Sequence, residues 1–146
     1  MGNEHTITYS PLIDGRDFFI KDKWGEELHF RIMSFMVPSG LLSTAIEVID
    51  DPERKAPREY EVLSAYDADV EEAELRLKGK IKKSINTRYL TREYGGLSIK
   101  KDKLAGRFLG DCFEIDGLKL TPEEFIQTFS SCEGFKFTMK FMDSTD

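Results

Sequence analysis

Three carboxylates lie close together in the sequence and are the side chains best suited to chemistry. Asp111, Glu114 and Asp116 are followed by Lys119. A metal-dependent nuclease holds a hard cation with an Asp and a Glu-x-Lys tripeptide, and the metal polarises water. Here the tripeptide at 114–116 is Glu-Ile-Asp, without the lysine, but Glu114 and Asp116 would share one face of a strand. A small metal-dependent hydrolase using carboxylates near 111–116 is therefore one alternative. The Asp-Gly pair at 116–117 is typical of a tight turn, and we favour that structural interpretation.

Other catalytic patterns are missing from the sequence. It contains two histidines, His5 and His29, and neither has a nucleophile or base at a recognisable spacing. No glycine-rich phosphate loop and no Cys-x-x-Cys pair occurs. We therefore predict no catalytic residue, no metal ligand and no cofactor, and lean towards a protein that is not an enzyme.

Basic residues are concentrated in one stretch. Residues 76–107 carry 11 Lys and Arg against 2 Asp and Glu, although the whole chain has a net charge of −6. A basic patch with interleaved aromatic residues, here Tyr89 and Tyr94, attracts a phosphate backbone or a single strand. The candidate binding residues are Lys82, Lys83, Arg88, Lys100, Lys101 and Arg107.

The same basic stretch has a second explanation. The helix predicted from Asp69 to about Leu90 begins with acidic residues and ends with basic ones. This order of charges complements the helix dipole and places acidic and basic side chains four residues apart, where they attract each other. We favour helix stabilisation over nucleic-acid binding, because it accounts for about half of the pattern without any ligand. It does not account for the basic residues between 100 and 107.

A protein partner fits the charge map better than nucleic acid does. The acidic flanks and basic centre could meet a partner of complementary charge, including a second copy of the chain. Trp24 lies in a polar turn, where we expect it to be exposed and suited to a contact surface. We predict a non-enzymatic protein-binding or interaction module, with a weak nucleic-acid-binding domain and a metal-dependent hydrolase as the alternatives, and no membrane partner.

The first half of the chain reads as an antiparallel meander. Runs rich in β-formers at 17–22, 27–37, 41–49 and 60–66 are separated by turn residues. Leu28, Phe30 and Ile32 alternate with wetter positions, which predicts one buried face. We expect the polar loop at 50–58 to be exposed and mobile. From Asp69 to about Leu90 the apolar period changes to that of a helix. The helical stripe consists of Val70, Ala73, Leu77, Ile81 and Ile85, and the glycines at 95 and 96 mark the expected helix end.

The second half predicts short strands, a short helix and a last strand. Thr121-Pro122-Glu123-Glu124 supplies a helix cap, a first-turn proline and a capping-box glutamate. After Gly134, apolar and polar residues alternate, which predicts a half-buried strand with Phe135, Phe137, Met139 and Phe141 inward. The fold class is therefore α+β: an antiparallel β-meander plus a second strand group, with one long amphipathic helix and one short capped helix packed on the sheet.

Length and composition indicate a single soluble domain. We assign residues 1–14 to a flexible N-terminal segment and residues 15–143 to one α+β domain. No apolar run reaches the roughly 20 residues of a membrane-spanning helix, and the first residues do not resemble a secretory signal. Cys112 and Cys132 are too few for a disulfide framework, so we expect reduced thiols and a cytoplasmic location.

Several segments together resemble an uncharacterised bacterial family, a domain of unknown function. In chain order they are DFFIKDKWGEELHFRI, AIEV, YEVLSAYDAD, the amphipathic stretch ending in INTRYL, GLSIKKDKLAGRFLGD, and then IDG, TPEEF and EG followed by FKF. The resemblance covers roughly residues 17–143 and is most specific from Ile115 to Phe141. Pro122 and Phe135 stand where the family pattern has tryptophans. The resemblance implies a bacterial or phage-related cytosolic protein, and it supplies no activity, cofactor or catalytic residue.

Overall fold

The computed structural model describes residues 11–146 and their side chains from residue 15 onward. The first ten residues, which include His5 and most of the segment expected to be flexible, lie outside the described residues. The elements in chain order are β1 (Pro11–Lys21), β2 (Glu27–Val37), β3 (Gly40–Glu47), β4 (Glu59–Ser64), α1 (Val70–Ile85), β5 (Leu90–Glu93), β6 (Gly96–Ile99), β7 (Arg107–Phe108), β8 (Phe113–Ile115), β9 (Leu118–Leu120) and α2 (Pro122–Gln127). A short 3-10 helix follows at Ser130–Cys132. The predicted α+β class is confirmed, and β1 begins earlier than the expected Asp17.

The chain divides into two compact units. In the part of the chain that the structure describes, unit 1 comprises residues 11–47, Glu59–Lys82 and Asp143–Asp146. Unit 2 comprises Val48–Arg58 and Lys83–Met142. Two compact units are compatible with one domain or with two, so the single domain over residues 15–143 stays a prediction.

Unit 1 contains the expected meander. Its four strands lie in the order β1-β2-β3-β4, and each neighbouring pair is antiparallel. Phe30, Ile32 and Ser34 of β2 share one face with Ser43 and Ala45 of β3, and all five are buried. The hydroxyls of Ser34 and Ser43 lie 3.0 Å apart and satisfy each other inside this face. We call it the inner face.

Helix α1 covers the inner face through the predicted stripe. Ala73, Leu77 and Ile81 are buried. The Arg76 guanidinium donates to the hydroxyl of Ser64 at 2.9 Å, which ties the helix to β4. Spacings of three and four residues placed these apolar positions on one side of the helix, as the sequence indicated.

Two expectations about unit 2 are wrong. The helix ends at Ile85, and residues Leu90–Glu93 form strand β5 instead of its last turn. Tyr94 and Gly95, both at positive φ, make the tight turn into β6 and do not stop a helix. The loop at 50–58 is not exposed throughout: Ala56 is buried, and its amide donates to the Gly117 carbonyl at 3.1 Å.

The remaining strands of unit 2 build a small sheet that supports α2. The order is β7-β8-β9, with the expected Asp-Gly turn between β8 and β9. Helix α2 has the predicted capping box between Thr121 and Glu124. The rings of Phe113 and Phe125 stack with centroids 4.0 Å apart, and Phe129 packs edge-on against Phe125. This aromatic stack joins the helix to the sheet.

Candidate functional site

The largest departure from the sequence expectation is at residues 135–142, which we call the C-terminal aromatic segment. Residues 135–143 belong to no helix or strand, so the predicted final strand is wrong. The side chains expected to point inward are instead 64% to 83% exposed, and they are Phe135, Phe137, Met139 and Phe141, with Met142 beside them. Alternating apolar and polar residues have the period of a strand, but a strand also needs a neighbouring strand with which to pair. The fold therefore leaves this stretch uncovered.

Exposure of so many large apolar side chains in one short segment is costly. Covering a phenylalanine side chain contributes about 1.5–3 kcal/mol. Large apolar side chains that are exposed close together are typical of interaction sites on folded proteins. The segment also carries Lys136 and Lys140 between its apolar residues, both exposed. It combines aromatic contact area with positive charge.

A second exposed apolar surface is the side of the meander opposite the inner face, which we call the outer face. Strand register places Met33 beside Thr44 and Phe35 beside Leu42 on this face. The next positions of the same face include Ile46, which is 46% exposed. Leu42 and Thr44 are half-buried and Ile46 is exposed, so this is the less buried side of β3.

An open depression lies in the outer face beside β4. Its lining includes Met33, Phe35, Thr44, Ile46, Glu59 and Glu61. Both glutamates come from β4, where register places Glu61 beside Thr44 and Glu59 beside Ile46. Ser144 donates a hydrogen bond to the Glu61 carboxylate, and the Lys80 ammonium donates to the Glu61 carbonyl at 2.8 Å. The depression thus has an apolar floor and an acidic side.

The opposite end of the outer face is polar. His29 Nε2 lies 2.8 Å from Asp17 Oδ1, and the Arg31 guanidinium lies 3.3 Å from the same oxygen. The hydrogen bond with His29, supported by Arg31, holds the pKa of Asp17 below its ordinary value. The Phe19 ring stacks on His29 with centroids 4.3 Å apart. These contacts form a polar edge beside the apolar part of the outer face.

The six basic residues of the nucleic-acid hypothesis have different environments. Lys82 and Lys83 are exposed near the end of α1, and Lys100 and Lys101 are exposed just after β6. Arg88 is half-buried between α1 and β5, so its predicted place on the helix is wrong. Lys100 is anchored through its backbone amide, which donates to the carbonyl of Tyr89 at 2.8 Å.

Arg107 makes contacts within unit 2 that stabilise the fold. Its guanidinium donates to the carbonyl of Pro57 at 2.7 Å and lies 3.6 Å from the Glu114 carboxylate. These contacts hold β7 to β8 and to residue 57 inside unit 2. Of the six candidates, Lys83, Lys100 and Lys101 are those of unit 2 that are exposed.

The carboxylates of the hydrolase hypothesis bind backbone amides. Glu114 accepts from the amide of Gly117 at 2.8 Å, and Asp116 accepts from the amides of Tyr89 and Leu90 at 3.1 and 2.9 Å. The Arg58 guanidinium donates to the Asp116 carbonyl at 2.7 Å. Among the side chains that the structure describes, no group of three or more His, Cys, Asp and Glu is arranged to hold a metal ion.

Trp24 lies in the turn between β1 and β2 and is 44% exposed. Its amide donates to the Asp22 carboxylate at 2.9 Å, and the Lys23 ammonium lies 4.9 Å from the centre of its ring. The Asp22 carboxylate therefore holds the backbone of the turn, and the indole is partly exposed beside Lys23. A contact role for Trp24 stays a prediction.

These features define an α+β protein with a four-stranded meander in one unit and two small antiparallel sheets in the other. Residues 11–86, just over half of the chain, match a family model described as a domain of unknown function (DUF7686), and the chain belongs to that family. Residues 89–146 match a second model, also a domain of unknown function (DUF7713). The resemblance to a family without an assigned function is confirmed, with two models in place of one. The chain matches no curated protein and no solved structure.

Proposed function

We propose that this chain is a non-enzymatic protein-interaction module and that the C-terminal aromatic segment is its binding element. The observation that carries the proposal is the exposure of Phe135, Phe137 and Phe141 within one short segment. Large aromatic side chains supply much of the binding energy in protein interfaces and lose little conformational freedom on binding. The intervening lysines add long-range attraction to an acidic partner.

A photo-reactive amino acid at position 137 tests this proposal in intact cells. The matched control places the same group at position 123, since Glu123 is exposed on α2 and lies outside the segment. We expect specific cross-linked proteins, including a second copy of the chain, from position 137 and not from position 123. Equal cross-linking from the two positions would contradict the proposal.

Weak nucleic-acid binding is a second candidate, favoured by one specific arrangement in unit 2. Lys100 and Lys101 are exposed directly after β6, and the Lys100 amide donates to the carbonyl of Tyr89 at 2.8 Å, so this half-buried tyrosine lies beside them in the hairpin. An aromatic residue beside lysines suits stacking of a base with contact to phosphate. Fluorescence anisotropy with a single-stranded oligonucleotide tests it at low salt. Binding should weaken steeply with salt and vanish in the Lys100→Glu, Lys101→Glu double variant; unchanged binding by that variant would exclude this surface.

We also propose a soluble, cytoplasmic location in a bacterial or phage-related cell. Cys112 and Cys132 are both free, which is the usual state of cysteines in a reducing compartment. Burial and the neighbouring Asp111 raise the pKa of the Cys112 thiol and so reduce its reactivity. No helix within residues 11–146 combines the length and apolar composition needed to cross a membrane. Alkylation of Cys132 in intact cells should find it reduced, and an oxidised thiol would contradict this location.

A further inference from the structure

We infer that the C-terminal aromatic segment of one copy of this chain docks on the outer face of a second copy. The inference rests on the interaction function proposed above and names the partner.

The two surfaces match in apolar character. The segment offers three phenylalanines and two methionines, and the outer face offers Met33, Phe35 and Ile46 around an open depression. Methionine and aromatic side chains pack well together because the thioether is flexible and polarisable. Contact would remove both surfaces from water, which is the main driving force for association of proteins.

The two surfaces also match in charge. Glu59 and Glu61 line the depression, and Lys136 and Lys140 alternate with the apolar residues of the segment. Lysine stems can lie along apolar surface while the ammonium groups reach the carboxylates. The aromatic residues would occupy the apolar floor, and the lysines would meet the acidic side.

The charges of the two units support the same arrangement. The described part of unit 1 has 15 acidic and 8 basic residues, for a charge of −7, and unit 2 has 11 acidic and 13 basic residues, for a charge of +2. The outer face belongs to unit 1 and the segment to unit 2. The segment of one copy and the outer face of another therefore attract each other, and salt should weaken the attraction.

Each copy carries both surfaces, so the contact can be reciprocal. Two equivalent contacts related by a two-fold axis close a dimer and leave no surface for further growth. The five apolar side chains of the segment expose roughly 700 Å². If half of that surface and a matching area of the sheet are covered in both contacts, the dimer buries about 1,400 Å², which lies in the range of specific interfaces.

The test measures molecular mass against protein concentration for three forms of the full chain. Phe137→Glu alters the segment, and Ile46→Glu alters the outer face at an exposed position; Leu63→Glu on the same face is a second choice if Ile46→Glu fails to fold. We expect a dimer for the wild type. Each variant should dimerise at least about 100-fold more weakly, because both equivalent contacts are lost.

Mixing the two variants gives the decisive result. A chain with Ile46→Glu keeps an intact segment, and a chain with Phe137→Glu keeps an intact outer face, so the mixture can form one of the two contacts. We expect a heterodimer that is weaker than the wild-type dimer and stronger than either variant alone. Two monomeric variants that fail to associate with each other would overturn the inference, as would a variant that dimerises like the wild type.

A wild-type chain that is monomeric at every concentration would also overturn the inference. The proposed function would survive if the photo-reactive group at position 137 then captured a different protein. It would fail with the inference if position 137 captured nothing beyond the control at position 123. The two experiments therefore distinguish a wrong choice of partner from a wrong proposed function.

Discussion

The carboxylate of Asp116 accepts a hydrogen bond from the backbone amide of Leu90 at 2.9 Å, and so joins the β8–β9 turn to the start of β5. The amide of Tyr89 donates to the same carboxylate. Leu90 and Ile115 belong to the buried core of unit 2. We expect Asp116→Ala to lower the free energy of unfolding by about 1–3 kcal/mol, because two partly buried amides lose their acceptor.

Asp116→Asn and Asp111→Ala are the matched variants for this prediction. Asparagine keeps one carbonyl acceptor and tolerates the positive φ of 56° at this position, so its effect should be intermediate. Asp111 is exposed, and its replacement should change little. Urea unfolding measures all three. The stabilising role assigned to the Asp116 carboxylate is contradicted if Asp116→Ala is no more destabilising than Asp111→Ala.

Glu74 is a buried carboxylate on α1 with two cationic partners. Arg16 donates a hydrogen bond to it, and the Lys78 ammonium lies 3.2 Å away. Burial alone would raise the pKa of Glu74, but the hydrogen bonds from Arg16 and Lys78 outweigh burial and hold the pKa below its ordinary value of 4.5. We expect Glu74→Gln to lower the free energy of unfolding at neutral pH by about 1–2 kcal/mol. Glu72→Gln, at an exposed position of the same helix, is the control.

The effect of Glu74 should depend on pH in a defined direction. Its folded pKa is lower than its unfolded pKa, so the unfolded state binds more protons between the two values. The stabilisation is therefore complete above about pH 5 and is lost as the pH falls through 4.5 towards the lowered folded pKa. Urea unfolding of the wild type and Glu74→Gln across this range measures the difference. A difference that grows on acidification would contradict the ion pair.

Gly106 and Gly79 should respond to alanine in opposite ways. A Cβ at position 106 would lie 2.1 Å from the Glu114 carbonyl oxygen, on the backbone of β8, whereas a Cβ at position 79 meets nothing within 4 Å. Gly106→Ala should destabilise the chain by more than about 2 kcal/mol, because β7 could no longer approach β8. Gly79→Ala should stabilise it by about 0.5–1 kcal/mol, since glycine is unfavourable inside a helix. Thermal unfolding of the two variants measures both effects. Shifts of the two midpoint temperatures in the same direction would contradict the geometry at these two positions.

Local signals in the sequence predicted much of the fold. Alternation around Phe30 identified the buried face of β2, and the stripe around Leu77 identified the buried side of α1. The cap at Thr121 identified the start of α2. In each case the residues that carry the signal lie next to each other in the chain or on one turn, so a single sequence is sufficient.

The candidate site depended on information that a local pattern does not contain. The alternation from Phe135 to Phe141 fits a strand, but whether another strand lies beside it depends on distant parts of the chain. The same limit explains β5: the residues after Ile85 were assigned to the helix because Gly95 and Gly96 look like a helix end, whereas Tyr94 and Gly95 form a hairpin turn. The sequence makes Arg107 a candidate binding residue, whereas the fold brings its guanidinium to the carbonyl of Pro57, 50 positions earlier in the chain.

Amide hydrogen exchange of residues 135–142 at low and high protein concentration tests the central claim most directly. Residues 135–142 pair with no strand among the described residues, and of their amides that of Phe135 donates to the Cys132 carbonyl at 2.9 Å. The amides from 136 to 142 should therefore exchange rapidly when the chain is dilute. Docking on a second copy should slow their exchange as the concentration rises, and Ile46→Glu on the outer face should abolish that protection. Rapid exchange at every concentration, or slow exchange already in the dilute monomer, would contradict the claim that this segment is exposed for a second copy to cover.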